Sequence, residues 1–174
     1  MAERELIFFA YQGRSEERAD ENVDAIKTAI TRFNGHQKHY YVKSWEEYRK
    51  TATISGDVLA AIEQCSIFAC DLTYLNHNVL FELGYAIGKE KAVLVFLNER
   101  ITSSKKAYLE SFMKTVRYTP LTNADSITTA FQRGHYNSEL LKEFVNIENV
   151  AATTNTLLYL QSRVQTQASL DLIE

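Results

Sequence analysis

Three stretches of this chain hold apolar residues without interruption: Leu6–Ala10 (LIFFA), Ile67–Cys70 (IFAC) and Ala92–Leu97 (AVLVFL). A strand with one face in water alternates polar and apolar residues, whereas a short unbroken apolar run reads as a strand covered on both faces. Such strands pair in parallel, and parallel neighbours need long crossovers, usually helices, to join them. The segments between the runs have that character. Ser15 is an N-cap with Glu16 and Glu17 in the first turn, and Ala19, Val23, Ile26, Ile30 and Phe33 recur at helical spacing up to Asn34-Gly35, which predicts a helix over 15–33. Tyr40–Val42 reads as a second strand, followed by a polar connector, Lys43–Thr53, that carries Trp45 and Tyr48. Ser55–Cys65 reads as a helix with Val58, Leu59 and Ile62 on its apolar face.

After Ile67–Asp71 comes a polar loop and a helix for which Asn78 is the expected N-cap. Beyond Leu97, Ser103 or Ser104 caps a helix through about Lys114, Val116–Thr119 is a short fifth strand before Pro120, and Thr122 or Asn123 caps a helix to about Arg133. Strands alternating with helices predict an α/β fold: a flavodoxin-like three-layer sandwich around a five-stranded parallel sheet, complete over residues 1–133. Residues 134–174 fall outside that unit. Leu140, Leu141, Phe144, Val145 and Ile147 form one apolar pattern and Leu157, Leu158, Leu160 and Val164 another, so they read as a helical extension or as a connector to a partner or further domain.

Composition narrows the class. At 174 residues, with 45% hydrophobic and 24% charged residues, the chain can bury a sizeable core. Its net charge of −3 offers no basic footprint for phosphate-dominated nucleic-acid binding. Cys65 and Cys70, in or beside one buried strand and on opposite faces of a period-2 element, read as buried free thiols rather than a disulfide or zinc pair. The first residues, MAERELIFF, carry charge where a signal peptide needs apolar length, and no run approaches the ~20 residues of a membrane span. A cytoplasmic protein is the expectation. His36, His39, His77 and His135 show no metal spacing, and there is no GxGxxG loop, Walker A loop or nucleophile elbow.

Chemistry is expected at the carboxyl ends of the strands, where open parallel sheets bind ligands. Asp71 lies at such an end, as do Tyr11–Arg14, Ser44–Tyr48 and Asn98–Arg100. Glu82 stands in the early turns of the following helix, one position off the stripe of Val79, Leu83, Ala86 and Ile87. A carboxylate there can simply complement the helix dipole on a wet face. Its setting, Phe81-Glu82-Leu83-Gly84-Tyr85, instead favours a half-buried group of strong electrostatic effect. For the other candidates two readings stand: Asp71 as a ribose ligand or as the anchor of the Thr73 turn, Asn76 and Asn78 as sugar or phosphate ligands or as loop and cap residues, Trp45 as a base-stacking ring or as a buried anchor.

The string DLTYLNHNVLFELGYAIGKEKAVLVF, residues 71–96, resembles the segment shared by nucleoside 2-deoxyribosyltransferase-like proteins and the related prokaryotic TIR-like domains. In both, an Asp-Leu-Thr strand end leads through an Asn-x-Asn loop to Asn-Val-x-x-Glu-Leu-Gly-x-Ala. The resemblance implies cleavage of an N-glycosidic bond between ribose and a base, with Glu82 as the essential carboxylate of an NAD+ glycohydrolase or cyclase, or as the nucleophile of a deoxyribosyltransferase. It further implies that NAD+ is substrate rather than cofactor, that Tyr11 and Arg14 lie in the loop that contacts the nucleotide, and that Arg14 suits a pyrophosphate. A bacterial antiphage effector that works as an assembled homo-oligomer, with a sensor or partner reached through the C-terminal extension, is the expected context. A non-catalytic nucleotide-binding or self-association module, in which Glu82 only caps and packs, is the remaining alternative.

Overall fold

In the computed structural model, residues 4–13, 21–48, 54–102, 116–134 and 136 are described. The elements run β1 (Glu5–Ala10), α1 (Glu21–His36), β2 (Tyr40–Ser44), a 3-10 turn (Trp45–Tyr48), α2 (Ile54–Gln64), β3 (Ile67–Asp71), α3 (His77–Gly88), β4 (Ala92–Leu97), the short α4 (Glu99–Thr102), β5 (Tyr118–Pro120) and α5 (Ala124–Arg133). The five strands form one parallel sheet in the order β2-β1-β3-β4-β5, the flavodoxin-like order expected.

The unbroken apolar runs are explained by where they lie. β1, β3 and β4 are the three inner strands, and both of their faces are buried. Leu6, Phe8, Ala10, Phe68, Cys70, Val93 and Val95 point into a core shared with α2 and α3. Ile7, Phe9, Ile67, Ala69, Leu94 and Phe96 point the other way, into a core shared with α1 and α5. The second core is aromatic: Phe131 of α5 meets Phe9, Phe33 and Phe96 with ring centroids 5.7, 5.2 and 5.8 Å away. Cys65 and Cys70 are buried free thiols in the same core, not on opposite faces, because Cys65 ends α2 rather than starting a strand.

Several boundaries differ from the sequence expectation. Helix α1 runs through Asn34 and Gly35 to His36. Asn34 does not stop it because its side chain is drawn sideways to β2, donating to the Val42 carbonyl (2.9 Å) and accepting from the Val42 amide (2.7 Å). The connector after Val42 is strand for two more residues, Lys43 and Ser44, and then a 3-10 turn in which Glu47 accepts from the Ser44 amide at 3.1 Å. The fifth strand starts two residues later than expected and ends one later, at Pro120, which a strand edge tolerates because no ladder donor is needed there. Asn123 caps α5 in a full capping box with Ser126, and Gly134 ends it in the left-handed conformation at φ 64°. The cap at Ser15, the helix expected near 104–114 and the extension beyond residue 136 lie outside the described residues. Among those that are described, no helix is long and apolar enough to cross a membrane.

Since Phe131 joins α5 to two strands and to α1, Phe131→Ala is expected to destabilise the fold by about 3–5 kcal/mol, read as a lower urea midpoint at unchanged slope.

Candidate functional site

At the carboxyl edge the inner strands finish level: Ala10 pairs with Cys70, and Asp71 with Phe96. The chain moves from β1 to one side for β2 and then crosses to the other side for β3, so the strand order reverses between β1 and β3. This is the crevice in which ligands of open parallel sheets bind.

Below that edge the sequence candidates separate onto two faces. Asp71 follows Ala69 by two residues and shares its α1-side orientation. Its Oδ1 accepts the Thr73 amide at 2.9 Å and also the Thr73 hydroxyl. That hydroxyl accepts the Asn98 amide at 2.9 Å, and the Asn98 side chain donates to Asn22 Oδ1 of α1 at 2.8 Å. Asp71, Thr73 and Asn22 are all buried, so this chain of polar groups joins the loop after β3, the loop after β4 and the start of α1 beneath the surface. Asp71 thus anchors a turn, one of its two expected readings. Spacing shows the Asp-x-Thr turn in the sequence; nothing local links Asn98 to Asn22, which are 76 residues apart.

Tyr11 also lies on the α1 side, packed edge-on to Phe9 at 5.7 Å. Its hydroxyl is buried and makes no hydrogen bond of good geometry among the described residues. Burial is the main cause that pushes this phenol up to about 12, opposed by nearby Ser44 and reinforced by the carboxylates of Glu46 and Glu47. Glu46 is itself tied to Lys27 of α1 at 2.7 Å. Trp45 stands between the two faces, in contact with both cores and edge-on to Tyr11 at 6.2 Å. Gly13 is required beneath it, because a Cβ there would come within 2.9 Å of the indole. Trp45 is therefore an anchor that walls the end of β1. Arg14 falls outside the described residues.

Glu82 lies on the opposite face, with α2 and α3. The cap of α3 is Asn76, not Asn78: the Asn76 side chain accepts the Asn78 amide at 2.9 Å and the Val79 amide at 3.3 Å. Just before it Leu75 holds φ 52°, a conformation unusual for a residue with a branched side chain, and the chain there turns sharply from β3 into the helix. The earlier cap makes Asn78 an exposed second helical residue and moves Glu82 from the fourth to the sixth position, beyond the reach of most dipole stabilisation. Val79, Leu80, Leu83, Ala86 and Ile87 are buried, so Glu82 flanks the apolar face and is half-buried by it.

Burial alone raises the Glu82 carboxyl from 4.5 to about 7. Among the described residues it has neither a hydrogen bond nor an ion pair, and its charge adds to the forces that keep the buried Cys70 thiol protonated, after burial itself and Asp71. Such a group is half ionised near neutrality and, when ionised, is a poorly solvated anion able to stabilise adjacent positive charge. Among the described residues no cluster of His, Cys, Asp and Glu is arranged to hold a metal ion. Compared with known families and with curated proteins, the chain matches none at significant similarity.

An acid whose folded pKa lies above its unfolded value favours folding at low pH and loses that advantage as pH rises through the two values. Glu82 therefore burdens the fold between pH 4.5 and about 7 and fully above that. Glu82→Gln is expected to raise stability at pH 8 by up to about 3 kcal/mol and to leave it unchanged at pH 4, measured by urea unfolding at both values.

Proposed function

We propose that this protein is an NAD+ glycohydrolase, or a cyclase of the same type, that cleaves the bond between nicotinamide and ribose. The observation that carries the reading is Glu82 itself: a half-buried carboxylate of α3, the helix that follows β3, unpaired among the described residues and raised to about 7. A carboxylate kept in such a place destabilises the fold at neutral pH, which is the pattern of a functional group rather than a structural one. The resemblance of residues 71–96 to TIR-like and deoxyribosyltransferase-like segments supplies the substrate class.

Nicotinamide on NAD+ is already cationic, so it leaves without a proton donor. The C1′–N bond breaks with its electron pair passing to the pyridinium nitrogen, and positive charge develops on the ribose. Ionised Glu82 stabilises that charge, as a carboxylate does in glycoside hydrolysis. Water then adds to C1′ and releases a proton, giving ADP-ribose; attack by a group of the ADP-ribose itself gives the cyclic product. The same resemblance makes Tyr11 and Arg14 part of the loop that contacts the nucleotide, with Arg14 suited to a pyrophosphate, and leaves Trp45, Asn76 and Asn78 as the further candidates for substrate contact. The same resemblance supports a cytoplasmic effector of bacterial antiviral defence that is active as a homo-oligomer and takes its signal through residues 134–174.

The test is chromatography of NAD+ and of deoxynucleosides after incubation with wild type and Glu82→Gln, each dilute and crowded. Nicotinamide release that rises with pH around a midpoint near 7, and falls by about 10²–10³-fold in Glu82→Gln, is the expected result. Base exchange on a deoxynucleoside would assign the carboxylate to a transferase instead, and no turnover of either substrate in any state would remove the enzymatic reading.

A further inference from the structure

Asn78, Glu82, Tyr85 and Lys89 follow one another at spacings of four, three and four, so they share one stripe of α3. The lower half of that stripe is fastened to α2. Tyr85 Oη donates to Glu63 Oε1 at 2.6 Å, Lys89 Nζ pairs with the same oxygen at 2.7 Å, and Lys91 Nζ donates to the Glu63 carbonyl at 2.6 Å. The Lys89 ammonium lies 5.3 Å from the Tyr85 ring centre, and the exposed Phe81 ring stacks on the same Tyr85 at 6.5 Å and 19°. Glu63 is thus the α2 anchor for three groups at the end of α3, and the stripe faces α2. Glu82 lies one turn before Tyr85 on that stripe, and one turn before Glu63 on α2 Leu59 packs against the core in which Val58 is buried, so the helical spacing turns Glu82 toward the groove between the two helices.

We propose that Tyr85, Glu63 and Lys89 form a clamp that positions Glu82, holding α3 against α2 so that water stays out of the groove beside the carboxylate. As regulation of the site this rests on the reading of Glu82 given above, while the effect of the clamp on Glu82 is measurable without turnover. The titratable and charged groups on and beside the elements around the groove are Asp57 and Glu63 of α2, Cys65 just after it, Cys70 and Asp71 of β3, Glu46, Glu47 and Tyr48 of the 3-10 turn, His77 and Tyr85 of α3, and Lys89, Glu90 and Lys91 just after α3; β4 carries none. Burial is the cause that sets the Glu82 ionisation, so a change in how tightly the helices meet acts on it directly. The clamp is solvent-exposed, hence open to salt or to a neighbouring surface, which makes it a place where events outside the site reach the carboxylate.

The experiment is a carbon-13 NMR titration of the Glu82 carboxyl in wild type, Tyr85→Phe and Lys89→Met. Tyr85→Phe loosens the clamp without changing charge. Lys89→Met loosens it while removing a positive charge, which by simple electrostatics would move the midpoint up. The expected result is a midpoint lower by about half a unit or more in both variants. An unmoved midpoint in Tyr85→Phe, or a raised one in Lys89→Met, overturns the proposal, and a lower melting temperature at an unmoved midpoint marks the cluster as a stabilising surface network only. A shifted midpoint in proteins that release no nicotinamide under any condition would uphold the clamp and remove the NAD+ reading instead.

Discussion

Everything in this molecule follows from the burial of β1, β3 and β4 on both faces. Beyond Glu5 and Ala92, which open β1 and β4, their side chains are buried on either side, so the sheet must be covered twice: by α2 and α3 above one face, by α1 and α5 above the other. Double coverage forces the crossovers that make the strands parallel, and parallel strands bring their carboxyl ends, with the loops that follow, to one edge. Polar and charged side chains excluded from both cores collect there. The place of Asp71, Thr73 and Asn98 is therefore set by the same physics that makes AVLVFL apolar throughout.

That edge is not a single surface. The sheet divides it, and the side chains just beyond the strands inherit the orientation of the residues two positions earlier. Tyr11 and Asp71 fall to the α1 side, where one is sealed among rings and the other ties a turn to Asn98 and Asn22. Glu82 falls to the α2–α3 side and meets no compensating partner among the described residues. The contrast between the two carboxylates is instructive. Asp71 is more deeply buried yet receives two donors from Thr73, whereas Glu82 is less buried and receives none from the described residues. Hydrogen bonding to an ionised carboxylate offsets its desolvation, so Asp71 is held as a structural acid, while the desolvation of Glu82 is not offset by any hydrogen bond among the described residues.

The legibility of the chain divides along the same physical lines. β3 and β4 stand where their apolar runs place them, and Asn123, one of the two capping candidates before α5, takes that role, because burial on two faces and a cap within a few residues of its helix are local patterns. Asn78 reads as the cap of α3 from its place before the apolar run, but Asn76 takes that role because Leu75 turns the chain early, and no local pattern announces a left-handed leucine. The end of α1 misleads for a similar reason: Asn34-Gly35 is a stop signal that a pair of hydrogen bonds to Val42 overrides. Cys65 was expected on the face opposite Cys70, and it joins the same core because it closes a helix instead of entering the strand.

By itself, the sequence determined that the strands are sandwiched, that they are parallel, and that a lone glutamate stands in the helix after the third of them; each is carried by residues within a few positions of one another, where side-chain period and backbone preference act. Tertiary structure alone decided what that glutamate is. It is half-buried beside Val79, Leu83 and Ala86 on a helix that Tyr85 and Lys89 fasten to Glu63 of α2, contacts between segments some twenty residues apart, and among the described residues no group pairs with it. Desolvation is a property of everything that surrounds a group, and the surroundings exist only once the two helices have packed on the sheet.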